Sequence, residues 1–177
     1  MKAQTICTMM LLMALASPGI PGTDSTAGDP AKAARTAREK AAYGVCAACH
    51  GQDGRALPTQ PPMAPSLVGS KLVLAASEVP ITIVLKGIQK ADSRFLGVMA
   101  PLGSVMTDAQ IADALSYIRG NWGHQASSVT ANDVRSVREK YKEISASLPR
   151  RAYERKAEEL VKKASPTPPP ADASRHP

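Results

Sequence analysis

The stretch Cys46-Ala47-Ala48-Cys49-His50 decides how the rest of the chain is read. Two cysteines three positions apart with a histidine directly after them form CxxCH, the attachment signature of c-type haem. The spacing has a physical reason. On a helical turn, positions i and i+3 point to the same side, so both thiols reach the two vinyl groups along one porphyrin edge. His50 then presents its imidazole to the iron from one face. Two other readings of these residues fit less well. A zinc site would need a fourth ligand, and beyond Cys46, Cys49 and His50 there remain His124, His176 or a carboxylate, with no second metal-spaced pair. A thioredoxin-type redox pair belongs in a βαβ context, and no strand pattern lies nearby.

An iron held by His50 has a second axial position. Met63, Met99 and Met106 follow the histidine in sequence. Met63 lies in a proline-rich loop expected to wrap the haem edge. Met106 directly precedes Thr107, which has the character of a helix N-cap with Asp108 and Gln110 behind it, so a core role suits it. Met99 sits in an irregular stretch beside Pro101 and Gly103 that can lay its sulfur on an iron, and it is the expected distal ligand. His124 stands just past the last strongly periodic helix and is expected to be solvent-exposed or to cap that helix.

Periodicity predicts helices on both sides of the motif. Ala34, Ala37, Ala41, Ala42, Val45 and Cys49 recur at three- and four-residue spacing over 31–49. Val79, Ile83 and Val84 head a shorter helix that Gly87 stops. Thr107 to Trp122 is the clearest helix, with Ile111, Leu115, Ile118 and Trp122 on one face. Tyr43 and Tyr117 are expected to pack where the first and this later helix cross, with the small alanines allowing a close approach.

The chain has 177 residues, 44% hydrophobic and 21% charged, which excludes a wholly disordered chain, a transmembrane bundle and an acidic tail protein. Only 3% are aromatic: one Trp, four Tyr and one Phe. A porphyrin, larger and flatter than any side chain, would fill the core those residues cannot. Residues 1–16 read as an export signal: Lys2, the uncharged run Ile6 to Ala16, and the small-x-small site Ala14-Leu15-Ala16. That run is too short to span a bilayer, which takes about 20 apolar residues. Cys7 leaves with the signal, so Cys46 and Cys49 are the cysteines of the mature chain. Residues 17–30 form a flexible leader.

The net charge is +7, and more than half of it lies late in the chain. Residues 29–125 hold 10 basic and 7 acidic side chains, and residues 126–177 hold 11 and 7. Thr130 with Asp133 makes a helix start, Val134, Val137, Tyr141 and Ile144 share a face, and Pro149 breaks the run. Arg150 to Ala164 is Lys, Arg, Glu and Ala with Tyr153, Leu160 and Val161 to bury, and residues 165–177 are a disordered proline-rich tail. This extension, 126–164, is either a solvated charged helix pair or an arm that docks on an acidic partner or an anionic membrane surface. No aromatic-basic interleaving points to nucleic acid.

Taken together, Cys46-Ala-Ala-Cys-His50-Gly51 with Asp53-Gly54, Pro61-Pro-Met-Ala-Pro-Ser-Leu-Val-Gly69, Val98-Met99-Ala-Pro-Leu-Gly103 and Thr107 to Gly123 resemble a class I mono-haem cytochrome c domain. The type is that found with periplasmic alcohol, aldehyde and sugar dehydrogenases. The resemblance implies an all-α cytochrome c fold over 31–125 wrapping one haem c. Cys46 and Cys49 would form the two thioethers, His50 the proximal ligand and Met99 the distal one. A carbonyl of the Pro61-Pro62 loop would hold the other nitrogen of His50. The chain departs from the pattern at His124, where Asn is usual, and over Lys90 to Leu96, which lacks the expected glycine. The expected function is one-electron transfer in the periplasm, from a dehydrogenase to an oxidase or another cytochrome, membrane-anchored if the signal stays. The alternatives are a haem protein with an open distal site, for ligand sensing or peroxidatic chemistry, and a haem-bearing structural subunit of a dehydrogenase complex.

Overall fold

A computed structural model of the chain describes residues 29–90, 94–144 and 147–164. The expected signal and leader up to residue 28 and the proline-rich tail from 165 lie outside the described residues. The fold is all-α. Six helices follow one another: α1 (Pro30–His50), α2 (Lys71–Leu74), α3 (Glu78–Lys86), α4 (Asp108–Gly120), α5 (Ala131–Lys140) and α6 (Arg150–Ala164). Among the described residues there is no strand, but isolated bridges pair Ile88 with Met99 and Ile88 with Leu148.

Helix α1 starts where Asp29 accepts from the Ala31 amide and Pro30 takes the first turn, and it stops at Gly51, whose φ is +74°. Its buried face differs from the alanine stripe expected from sequence. Tyr43 and Ala47 are buried, whereas Ala34, Ala37 and Ala41 are exposed and Val45 is half-exposed. The reason is length. At 1.5 Å per residue α1 is about 31 Å long and its partner α4 about 20 Å, so the first turns of α1 overhang and have nothing to pack on.

Helix α4 begins with a reciprocal capping box, Thr107 Oγ1 accepting from the Gln110 amide and Gln110 Oε1 from the Thr107 amide. It buries Ile111, Leu115 and Ile118 against α1. It ends at Gly120, two residues short of expectation, and Trp122 follows with a φ of +55°. That turn swings the indole back onto the helix crossing. Tyr43 stacks on Tyr117 at 5.0 Å between ring centroids, and Trp122 meets both edge-on at 5.4 and 5.8 Å. Gly54 lies beneath the indole; a Cβ there would come within 2.7 Å of it.

The charged extension packs onto the rest of the molecule. Val129, Val134 and Val137 are buried in the same cluster as Ile111 and Ile118. Four of its cations pair with carboxylates of the body: Arg138 and Arg135 meet Asp108 at 2.9 and 3.8 Å, and Lys140 and Lys156 meet Glu78 at 2.9 and 3.5 Å. Helix α5 stops at Lys140, well before the expected break at Pro149. Residues 141–143 form a turn there, and further on the Leu148 carbonyl accepts from the Gln89 amide at 3.0 Å. In α6, Tyr153 is 2% exposed and packs with Leu72 and Val79, and its hydroxyl donates to the Gly87 carbonyl at 2.7 Å. Val161, expected to be buried, is on the exposed side of α6.

Candidate functional site

Between α1, α2, α3 and the loops 63–70 and 88–102 lies a cavity of about 450 Å³. Cys46, Cys49 and His50 line it from the last turn of α1, and Met63 and Met99 line it from the loops. The helix brings both thiols and the imidazole to one wall because the three residues fall within one turn. Most of the remaining lining is aliphatic, including Leu67, Leu72, Val84, Leu102 and Ile118. Among the described residues its charged members are Lys90, Arg94 and Arg150, and none is a carboxylate.

His50 Nδ1 lies 3.0 Å from the carbonyl oxygen of Pro65. A carbonyl can only accept, so Nδ1 carries the hydrogen and Nε2 is left with its lone pair. The tautomer is thereby set for a metal. The orienting carbonyl is that of Pro65, further along the proline-rich loop that Pro61-Pro62 opens, while the Pro62 and Met63 carbonyls accept from the Leu96 and Gly97 amides, at 3.0 and 2.8 Å. Those two bonds tie the proline-rich loop to the strap that carries Met99. Burial pulls the His50 pKa down against the bond to Pro65, which pushes it up, so the imidazole is held neutral. Burial pushes the Cys46 thiol up to about 11, so the sulfur is protonated at neutral pH.

Of the three methionines, Met63 and Met99 line the cavity, while Met106 is buried in the core beside α4, as its place before the N-cap suggested. Met99 is fixed by its backbone, its carbonyl accepting from the Ile88 amide at 2.8 Å. Gly87 makes that pairing possible: its φ is +73°, and a Cβ there would strike the Met99 carbonyl. His124 is not solvent-exposed. It is buried, with Nδ1 donating to the Ile118 carbonyl at 2.8 Å and Nε2 accepting from the Gly69 amide at 2.9 Å. It caps the end of α4, as the second half of the expectation had it, and with both nitrogens engaged it has none for iron.

The donor set fits a haem. Two thiols and an imidazole with a free lone pair come from the last turn of α1, Met99 lines the same cavity from the strap, and most of the remaining lining is apolar. It does not suit a bare ion: among the described residues no three His, Cys, Asp or Glu side chains converge to hold one. Sequence reasoning missed Lys90, Arg94 and Arg150, since a cation scattered along the chain carries no spacing signal.

The family model for cytochrome c matches residues 33–122. The gluconate 2-dehydrogenase cytochrome c subunit of Pantoea cypripedii is 37% identical over 98 residues, which cover 52% of this chain and 22% of that protein. The chain thus matches about a fifth of the length of that relative.

Proposed function

The chain belongs to the cytochrome c family, and from that premise we propose that it carries one haem c, bound through Cys46 and Cys49 and ligated by His50 and Met99, and shuttles single electrons from a dehydrogenase to an oxidase or another cytochrome in the periplasm. The observation that supports this most directly is the His50–Pro65 hydrogen bond, which leaves Nε2 basic inside a cavity also lined by both thiols and Met99. A haem bound there supplies a one-electron iron couple whose potential a methionine ligand raises.

The chain's own residues do the rest. The Pro65 carbonyl holds the His50 ring in one orientation and raises its basicity. Cys46 and Cys49 would hold the haem through two thioether bonds. The Ile88 amide holds the Met99 backbone in place by its carbonyl. The aliphatic lining keeps water out. A donor of the dehydrogenase class follows from the name of the Pantoea cypripedii relative.

The pyridine haemochrome spectrum is the test of attachment, and two thioethers are expected. The oxidised protein should show the methionine-to-iron charge-transfer band at the red end of its spectrum and should not bind CO when reduced. Met99→Ala should abolish the band and open the iron to CO, whereas Met63→Ala should do neither. Ready binding of CO by the unaltered protein would instead establish an open distal site.

A further inference from the structure

Arg150 lies outside the stretch that matches the family, yet it lines the cavity. It is the first residue of α6, and the segment leading to it is held from several sides. Leu148 accepts from the Gln89 amide at 3.0 Å, Tyr153 donates to the Gly87 carbonyl at 2.7 Å, and Lys156 pairs with Glu78 at 3.5 Å. Gly87 to Gln89 is the stretch that also holds Met99, through the Ile88 amide. Arg150 is therefore positioned by the same short run of backbone that positions the expected distal ligand.

The charges around the cavity are one-sided. Among the described residues, Lys90 and Arg94 from the strap and Arg150 from α6 line it and no Asp or Glu does; the other titratable groups among the described lining residues are His50, Cys46 and Cys49. Lys90 donates one ammonium hydrogen to the Leu96 carbonyl at 3.1 Å, and Arg94 lies over the Phe95 ring at 5.9 Å. Arg150 uses Nε for Glu154, at 2.9 Å, one turn further along the helix. A guanidinium presents five donors, so engagement at Nε leaves its terminal nitrogens able to take a second carboxylate.

The body expected in this cavity is apolar except for the two carboxylates of the porphyrin. Resting on the haem reading above, we infer that Arg150 of the C-terminal extension is a cofactor-binding residue that pairs with a porphyrin carboxylate. The extension is then a wall of the haem site, with its cation facing the one anionic part of the cofactor.

The test uses the full-length haem-loaded protein and reads the midpoint potential against pH. An ionised carboxylate near the iron favours the ferric state, so the potential falls as pH rises through that carboxyl's pKa. A neighbouring cation keeps the pKa low. Arg150→Gln should therefore move this fall to higher pH by about one unit, a roughly tenfold change in the acid constant. Arg150→Lys should move it less. Glu154→Gln, which releases the guanidinium, should leave it in place or move it the other way. Lys162→Gln, a loss of the same charge from the exposed end of α6, should leave the profile unchanged. An Arg150→Gln profile that overlays the unaltered protein, or an equal shift from Lys162→Gln, overturns the assignment. A protein with no covalent haem would overturn both this and the reading it rests on. An intact haem with its methionine band and an unmoved profile would sink the Arg150 assignment alone.

Discussion

Where α1 crosses α4, Tyr43, Tyr117 and Trp122 lie on one another with centroids 5.0–5.8 Å apart, and all three belong to the stretch that matches the family. Across the cavity, Leu72 and Val79 have no such partner in that stretch and pack instead on Tyr153 of α6. The first region is closed by its own side chains. The second is closed by a segment that composition alone marks as solvated, and behind it sits the cavity. A charged helix can thus be structural when one aromatic is buried and its cations find carboxylates on the body, as Lys140 and Lys156 find Glu78.

The largest effect is expected from emptying the cavity for good. Cys46→Ala with Cys49→Ala removes the covalent tether. If dry, a void of about 450 Å³ would cost on the order of 10 kcal/mol. That is comparable with the whole stability of a domain, about 5–15 kcal/mol. The haem-free chain should therefore lose cooperative thermal unfolding and part of its far-ultraviolet helicity. A sharp transition with full helicity would mean that the α2–α3–α6 region supports itself as the aromatic crossing does.

Tyr153→Ala comes next and bears directly on the second region. Removing a buried aromatic should cost about 3–5 kcal/mol in urea unfolding of the haem-loaded protein. Tyr153→Phe keeps the ring and loses the bond to Gly87, for about 1 kcal/mol. A Tyr153→Ala value near zero would return α6 to the role of a solvated arm. On the first region, Gly54→Ala pushes a methyl into the Trp122 ring at a positive φ and should cost about 1–3 kcal/mol. Little change there would show that the indole can yield, and that the crossing is looser than its ring contacts imply.

The parts of the site that were legible in sequence share a property: their chemistry is local. CxxCH reads as one turn of helix, and Thr107 with Gln110 and Thr130 with Asp133 read as caps because donor and acceptor are three residues apart. Gly87 as the stop of α3 reads for the same reason. What escaped depends on residues far apart along the chain. The alanine stripe of α1 has a helical period, but which face is buried depends on where α4 ends. The carbonyl of the proline-rich loop that holds His50 is that of Pro65, while Pro62 and Met63 bond to Leu96 and Gly97, more than 30 positions further on. His124 is buried by a contact with Gly69, 55 positions away. Nothing in the spacing of Arg150 announces a place in the cavity wall.

The smallest predicted effect separates the two regions by pH. Glu78 opens α3 and ties it to α5 and α6, accepting from Lys140 at 2.9 Å and from the Tyr141 hydroxyl, with Lys156 nearby. Burial alone would raise its pKa, but the bonds to Tyr141 and Lys140 outweigh it and hold the carboxyl below its ordinary 4.5. A carboxyl with a depressed folded pKa contributes stability that is fully present above its unfolded pKa and is lost as pH falls through the folded one. Both lysines are partly exposed, so solvent screens the pairs and the contribution is about 1 kcal/mol or less. Glu78→Gln should accordingly lower the urea midpoint at pH 7, and the gap to the unaltered protein should close in acid below pH 4.5. A gap that widens in acid would mean that the carboxyl is protonated in the folded state, and that α6 is held by Tyr153 without help from its charges.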